Sequence, residues 1–575
     1  MKQKNQKLYT PFDEYPTQWE NEYPRPTLKR DSFIPLLGEW DLSVLKNGKE
    51  NYIGKIKVPF PPESLLSGIC RELKKGEKYI YTKEFTLESD KNVILHFGAV
   101  DQIAEVYIND THVITHNGGY LPFEVDITEH LKENNILKVV VTDDLDRTNA
   151  YGKQRKKRGG MWYTPISGIW QTVWLEEVPK EYIKGLWITP TLDSVKIETV
   201  GGEKHKKLVI FDYLEGPDGD LIKSEVKVYE FDGSYIKIDI DDPIHWSPDK
   251  PYLYEFSIEC GEDKIESYFA LRTITVDKNR ILLNGRPYFF HGLLDQGYYS
   301  DGIYTPVTTK GFRYDIMISK RLGFNTLRKH IKIEPEIFYH YCDKYGMIVF
   351  QDMVNCGGYN YLLDTVLPTI GIKKGLTRPV NDKTKAAFRK ISMDMMRFLY
   401  NHPSVCYYTI FNEGWGQHDA DKLYRKFKEF DPSRIYDTAS GWFRPKESDV
   451  ISEHVYFKKV NIKHKGDKPL VLSEFGGYSC KIPEHSFNLS KTYGYKYFDN
   501  TKDFTKALDS LYRNEIIPMI EKGLCAAVLT QLSDIEDETN GLVTYDRRVL
   551  KTDIKVMQNM SKALFDKFDE VINEK

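Results

Sequence analysis

The chain has 575 residues, too many for a single hydrophobic core, so two to four domains are expected. Lysine and arginine total 81 against 84 aspartates and glutamates, a balance that argues against nucleic-acid or membrane attraction through bulk charge. The polar N-terminus, Met1 to Lys7, has no apolar segment after it, and no apolar run is long enough to cross a membrane. Seven scattered cysteines without a Cys-x-x-Cys pair agree with a reduced, cytoplasmic protein. Aromatic residues make up 13% of the chain, which leans toward β-rich architecture and toward stacking against sugars.

Residues 1–180 read as a first domain of short strands divided by turn signals. Among them are Leu37–Leu42, Tyr79–Phe85, Val93–Phe97, Ala104–Ile108, Leu137–Val141 and Gln171–Leu175, with turns at Asn109-Asp110 and Asn117-Gly118-Gly119. Regular short strands of this kind suggest a β-sandwich or jelly roll. Between the last two strands lies a basic and aromatic stretch, Tyr151 to Gly168, containing Arg155 to Tyr163. It reads either as a solvated loop or, through Trp162-Tyr163, as a loop that reaches a site elsewhere. Residues 181–275 form a second all-β segment, with Leu208–Tyr213 and Glu225–Glu230, of a length that fits an immunoglobulin-like sandwich.

Asn284-Gly285 reads as a hairpin turn, and beyond it the texture changes. Strand-like runs now alternate with helical periodicity. The strand candidates are Tyr288–Gly292, Thr326–Arg328, Met347–Asp352, Cys406–Asn412, Ile435–Asp437, Val450–Ser452, Leu470–Glu474 and Ala526–Gln531. Helical spacing shows in Gly311–Leu322, Lys385–Tyr400 and Phe504–Lys522. Eight short apolar strands with intervening helices outline a (β/α)8 barrel over residues 276–575.

Most of these strands end in a polar residue: Arg328, Asp352, Asn412-Glu413, Glu453-His454, Glu474 and Gln531 would gather at one rim. Glu413 and Glu474, ending the fourth and seventh strands, face each other across the mouth. Two carboxyl groups about 5–5.5 Å apart are what a retaining glycosidase needs, one as acid/base and one as nucleophile. Their surroundings must hold one protonated and the other ionised. Arg328 favours the ionised nucleophile, and Asn412 is placed to bond the hydroxyl next to the reacting carbon. Trp415 and Trp442 read either as stacking faces for sugar rings or as rim packing. Asp352 with Glu453-His454 lacks a metal-binding spacing, and buried hydrogen bonding fits it better.

At these residues the chain strongly resembles glycoside hydrolase family 2, the β-galactosidase, β-glucuronidase and β-mannosidase group. The likeness runs through Tyr23-Pro24-Arg25-Pro26, Gly38-Glu39-Trp40, Gly118 to Phe123, Ser167 to Trp174 and the Asn412-Glu413 pair. It implies a sugar-binding jelly roll, an immunoglobulin-like domain and a catalytic barrel, with Glu413 as acid/base and Glu474 as nucleophile. It also implies that Tyr456 contacts the nucleophile and that Asp295 and Gln296 lie near the substrate; Gln531, at the end of the eighth strand, is a further candidate for substrate contact. The Asn-x-Lys pair with which β-glucuronidases grip a uronate is missing from Glu538-Thr539-Asn540. The acidic run Asp534 to Glu538 would repel a uronate if it faced the pocket.

The resemblance therefore implies a retaining exo-β-glycosidase for a neutral sugar, a β-galactoside first and a β-glucuronide second. The expected partner is a carbohydrate, with no nucleic acid, membrane, metal or cofactor, and a homo-oligomer stays open. A carbohydrate-binding relative without turnover and an endo-acting glycanase are the rival readings.

Overall fold

The computed structural model describes residues 5–12, 19, 22–215, 221–369, 372, 379–464 and 466–573, so residues 1–4 of the polar N-terminus lie outside it. The first domain is a sandwich of two antiparallel sheets. Its six-stranded sheet runs in the order Lys49–Val58, Gly38–Lys46, Glu77–Thr86, Asn134–Thr142, Ile103–Ile108, Thr111–Asn117. Its four-stranded sheet runs Ile34–Pro35, Val173–Val178, Asn92–Phe97, Phe123–Asp126. Alternation sets the faces: Trp40, Leu42 and Val44 of one strand and Leu137, Val139 and Val141 of another point into the core. The Asn109-Asp110 turn has both residues at positive φ, the geometry that suits a two-residue hairpin.

The second domain packs three strands, Ile183–Pro190, Ser194–Gly201 and Tyr235–Asp239, against four. The four are Leu221–Phe231, Lys206–Glu215, Tyr254–Cys260 and Asp263–Phe269. This is an immunoglobulin-like sandwich, and it is tied to the barrel at buried points. Trp246 Nε1 donates to the Asp343 carbonyl at 2.8 Å, and Tyr268 Oη donates to Asp343 Oδ2 at 2.8 Å.

The third domain is a parallel barrel. Its strands are β1 (Phe290–Asp295), β2 (Thr326–Lys329), β3 (Ile348–Asp352), β4 (Val405–Thr409), β5 (Ile435–Asp437), β6 (Ile451–Val455), β7 (Leu470–Gly476) and β8 (Leu524–Thr530). They pair in the order β5-β4-β3-β2-β1-β8-β7-β6, so among the described residues only the β5–β6 seam lacks ladder hydrogen bonds. Both faces of the sheet are buried. Leu327, Val349, Tyr408 and Leu472 pack outward, whereas Phe290, Phe350, Tyr407, Ala526 and Val528 fill the interior, with Phe350 and Tyr407 stacked at 4.1 Å. The surrounding helices include α1 (Lys310–Arg321), α2 (Glu336–Tyr345), α3 (Asp382–Leu399), α4 (Ala420–Phe430), α5 (Thr501–Leu511) and α6 (Ile554–Asn573). Among the described residues no helix is long and apolar enough to cross a membrane.

Three local expectations shift. The first barrel strand begins at Phe290 rather than Tyr288, because the preceding hairpin still holds the chain: Tyr288 N donates to the Ile281 carbonyl at 3.0 Å. Asp295 thereby becomes a strand residue instead of a loop residue. The helix expected over Phe504–Lys522 runs from Thr501, capped by Asn500, only to Leu511. It then widens through Tyr512–Ile516 and tightens at Ile517–Met519, where Pro518 lacks the N–H a helix needs. The fourth strand stops at Thr409, so Asn412 and Glu413 stand beyond its end.

Candidate active site

Arg328 is the centre of the barrel mouth. Alternation on β2 turns Thr326 and Arg328 inward and Leu327 outward, which buries the guanidinium to 1% exposure. Its Nε donates to Asp352 Oδ1 at 3.0 Å, while Nη1 donates to Glu474 Oε1 and to the Ser473 carbonyl, both at 3.0 Å. Nη2 donates to Asn412 Oδ1 at 3.0 Å and faces Asp352 Oδ2 at 3.0 Å. All five N–H donors of the fork are engaged, so the side chain is fixed in place.

Glu474 reaches the same point through a bulge. On β7, Leu472 pairs with Ala527 and Phe475 with Leu529, three residues against two; on the other side Glu453 pairs with Leu472 but His454 with Glu474. One residue is extra. The slip lets Ser473 and Glu474 both turn to the interior while Leu472 and Phe475 stay outside, as a bulge re-aims a side chain next to a site. Tyr456, just past β6, donates its hydroxyl to Glu474 Oε2, and its ring stacks on Tyr495 at 4.1 Å. Burial alone would raise the Glu474 pKa, but His454 and Arg328 outweigh it and bring it down to about 2.

Glu413 is carried by a turn. It has φ +53°, its N–H donates to the Ser440 carbonyl at 3.0 Å, and Trp415 N donates back to the Asn412 carbonyl at 3.0 Å. A left-handed conformation at a non-glycine residue costs about 1 kcal/mol or more and is held by such surroundings. Gly414 follows at φ +74°, where a Cβ would lie 2.3 Å from Phe443 Cδ2. Glu413 Oε1 meets His454 Nδ1 at 2.9 Å. The donor atoms of Glu413, His454 and Glu474 lie within 4.8 Å of one another. A divalent cation there would sit beside the Arg328 guanidinium, 3.0 Å from Glu474, so hydrogen bonding accounts for the cluster better than metal ligation does.

These groups open on a cleft of 520 Å³, solvent at its mouth included. Asn412, Glu413, Trp415, Tyr456, Glu474 and Gln296 line it. Asn412 Oδ1 is taken by Arg328, which leaves its amide NH2 as the group available to a sugar hydroxyl. Trp415 meets Trp162 edge-on at 5.1 Å and Tyr359 at 5.6 Å, so the tryptophan is both a wall of the cleft and a packed member of it.

Three expected residues stand elsewhere. Asp295, the last residue of β1, is turned away from the cleft by strand alternation, with Leu294 facing the interior; it is paired with Lys329 Nζ at 2.6 Å and accepts from Gly297 N at 2.9 Å. Trp442 is rim packing: its Nε1 donates to the Asp364 carbonyl at 2.8 Å and its ring meets His454 edge-on. Gln531, fully buried, supports the cleft from behind. It accepts from Gln296 Nε2 at 3.0 Å and donates to Asn540 Oδ1 at 2.8 Å. Asp352 bonds Arg328 and His330, whereas Glu453 pairs outward with Arg444, so these two do not share a site.

Lys153, Met161 and Trp162 of the first domain line the cleft, and so do His330, Tyr359, Tyr495 and Glu538. The basic and aromatic loop at 151–168 is thus the one that reaches a distant site. Tyr151 Oη donates to the Gly357 carbonyl at 2.7 Å, Thr164 N donates to Glu536 Oε1 at 2.9 Å, and Tyr163 Oη donates to Glu538 Oε2. Of the acidic run, Asp534 is neutralised by Lys551 at 2.6 Å and Asp537 accepts from Asn488 Nδ2 at 2.7 Å; Glu538 alone of the run lines the cleft. Burial raises the Glu538 pKa, and Lys153 opposes that. His454 and Tyr495 carried no sequence signal of this role. Tyr495 sits among alternating tyrosines, and His454 was legible only as part of a metal-like cluster.

Replacing Arg328 by methionine removes a cation from the ionised Glu474. The Glu474 pKa rises, and the acidic limb of kcat/KM moves to higher pH by roughly 1–3 units, read from a pH–rate profile. A limb left in place would mean that Arg328 does not set the charge of Glu474.

A parallel barrel whose mouth holds two facing carboxylates and a buried arginine, preceded by two β-sandwiches, defines a three-domain glycosidase-like architecture. The chain belongs to glycoside hydrolase family 2. Residues 274–560 match the model of its TIM barrel domain, 61–172 that of the glycosyl hydrolase 2 galactose-binding domain-like region, and 181–272 that described as glycosyl hydrolases family 2. The chain is 28% identical over 292 residues to a β-galactosidase of Thermoanaerobacter pseudethanolicus, covering 48% of this chain and 39% of that one. To a β-glucuronidase of Streptococcus agalactiae it is 22% identical over 545 residues, covering 82% of this chain and 86% of that one. It thus spans well under half of that β-galactosidase and most of the streptococcal protein. A solved β-D-glucuronidase from Dictyoglomus thermophilum superposes with a TM-score of 0.72 at 20% identity, covering 94% of this chain and 98% of that one, and shares the fold.

Proposed function

We propose that the chain is a retaining exo-β-glycosidase that removes a neutral sugar, a β-galactoside first, from an oligosaccharide or glycoside. The observation that carries this is the pair Glu413 and Glu474. They face each other with donor atoms inside 4.8 Å, close to the spacing of about 5–5.5 Å on which double displacement depends. Glu474, held ionised, attacks the anomeric carbon while Glu413 gives its proton to the departing glycosidic oxygen. Glu413 then takes a proton from water, whose oxygen displaces Glu474 from the same carbon. Asn412 and Tyr456 orient the sugar and the nucleophile.

Exo action is supported by the first-domain loop, whose Lys153, Met161 and Trp162 wall off one side of the cleft. A neutral sugar is supported by Glu538, a carboxylate that a uronate would have to approach. A β-glucuronide is the second reading. Lys153 lines the same cleft, and its ammonium suits an anionic substituent.

A panel of nitrophenyl β-glycosides at one pH decides between them. The β-galactoside is expected to give the highest kcat/KM, by at least about tenfold, which corresponds to about 1.4 kcal/mol of preference in the transition state. Preference for the glucuronide would assign the uronide reading. Failure on every short glycoside, with turnover of polymers, would overturn exo action.

A further inference from the structure

Among the described residues, His454 is the one ionisable side chain that touches both glutamates. Its Nδ1 lies 2.9 Å from Glu413 Oε1 and 3.6 Å from Glu474 Oε2, and its Nε2 lies 2.7 Å from Ser440 Oγ. The imidazole is closed off from solvent, with the edge of Trp442 on one side. Gly441 is on the other at φ +87°, where a Cβ would fall 2.9 Å from Nδ1. The ring has one orientation.

Behind it stand Ser440, Ser473 and Ser452, whose Oγ lies 2.6 Å from Ser473 Oγ. Ser473 Oγ donates to the Glu453 carbonyl at 3.2 Å, an atom that only accepts, and Ser440 Oγ lies 3.0 Å from Ser473 Oγ. When Ser440 gives its proton to Ser473 and presents a lone pair to His454, the neutral ring carries its hydrogen on Nε2. Nδ1 is then a lone pair aimed at Glu413 Oε1, which requires a protonated Glu413. If that proton crosses to Nδ1, the same two heavy atoms are joined by an imidazolium–carboxylate bond, with no change of geometry needed.

We propose that the proton Glu413 gives to the leaving group is shared with His454 across this bond, so that a Glu413–His454 pair, with His454 as a positioning residue, forms the acid/base of the reaction. The inference rests on the glycosidase reading above. In the first half-reaction the proton leaves Glu413 for the glycosidic oxygen as the C–O bond breaks and Glu474 forms its ester. In the second, Glu413 takes a proton from the attacking water, and the pair again holds one.

Because the pair holds one proton between a carboxylate and an imidazole, it releases that proton at the pH of the stronger base, above the range of a carboxylic acid alone. The charged groups that face the ring are Glu413 beyond β4, Glu474 on β7, Arg328 on β2 and Asp437 on β5, with Tyr456 beyond its own strand. Burial lowers the imidazole pKa, but the two carboxylates outweigh burial and Arg328 and hold it above the usual value.

The test is the pH dependence of kcat/KM for the wild type, His454→Asn and Ser440→Ala on two glycosides of one sugar, a phenyl glycoside and a dinitrophenyl glycoside. The dinitrophenyl leaving group departs without a proton. For the phenyl glycoside the basic limb is expected to move to lower pH by about one unit or more in His454→Asn. In Ser440→Ala it should move the same way by less, while the dinitrophenyl limb stays where it was. A phenyl limb unchanged in both variants, or limbs that move equally for both substrates, would overturn the shared proton. Ser440→Ala carries the test if His454→Asn does not fold. Absence of turnover in the wild type on every glycoside would instead sink the glycosidase reading.

Discussion

Glu474→Ala is expected to lose turnover of aryl β-glycosides by roughly 10⁴-fold or more, the scale of loss when a nucleophile that acts as one unit with its surroundings is removed. The methyl side chain cannot attack, and Arg328 keeps its contacts to Asp352, Asn412 and the Ser473 carbonyl, so the barrel mouth should hold its shape. The variant leaves a small void where the carboxylate stood. Azide at high concentration can enter it, attack the anomeric carbon from the same face, and yield a glycosyl azide of α configuration. Rescue with that stereochemistry, identified by NMR of the product, assigns Glu474 as the attacking group. Undiminished hydrolysis by the variant would sink the mechanism.

Glu413→Ala should behave differently, and the contrast is the informative part. Loss of a general acid costs about 10²–10⁴-fold where the leaving group needs a proton, and far less where it does not. A dinitrophenyl glycoside should therefore still form the ester with Glu474, which then accumulates because no base activates water. A burst of phenolate followed by a slow phase is the expected trace. Azide in this variant occupies the water position and gives the β product, opposite to that from Glu474→Ala. Equal losses for good and poor leaving groups would exclude Glu413 as proton donor.

Much of this arrangement was legible in residue order. The barrel strands are short, continuous and rich in branched and aromatic residues, as strands buried on both faces must be, and the runs at Cys406 and Leu470 marked the ends where the glutamates stand. What sequence did not reveal was register. Nothing in Leu472-Ser473-Glu474-Phe475 announces the extra residue that turns Glu474 inward, because its effect depends on pairing with both β6 and β8. The same limit displaced Asp295. Because β1 runs on to its position, alternation gives Asp295 to a buried ion pair with Lys329 rather than to the cleft. His454 was hidden for another reason: its partners Glu413, Ser440 and Glu474 belong to three other segments, and no local spacing brings them together.

The loop at 151–168 supplies Lys153, Met161 and Trp162 to a cleft whose glutamates lie more than two hundred residues further along the chain. The cleft is therefore an assembly product rather than a property of the barrel. Without that loop the two glutamates and Arg328 would face an open trough, with Trp415 stripped of its Trp162 neighbour and Glu538 of its Tyr163 bond. Substitutions in a domain that carries neither glutamate can consequently reshape the wall that faces them. One wall of the cleft is thus written into the opposite end of the chain.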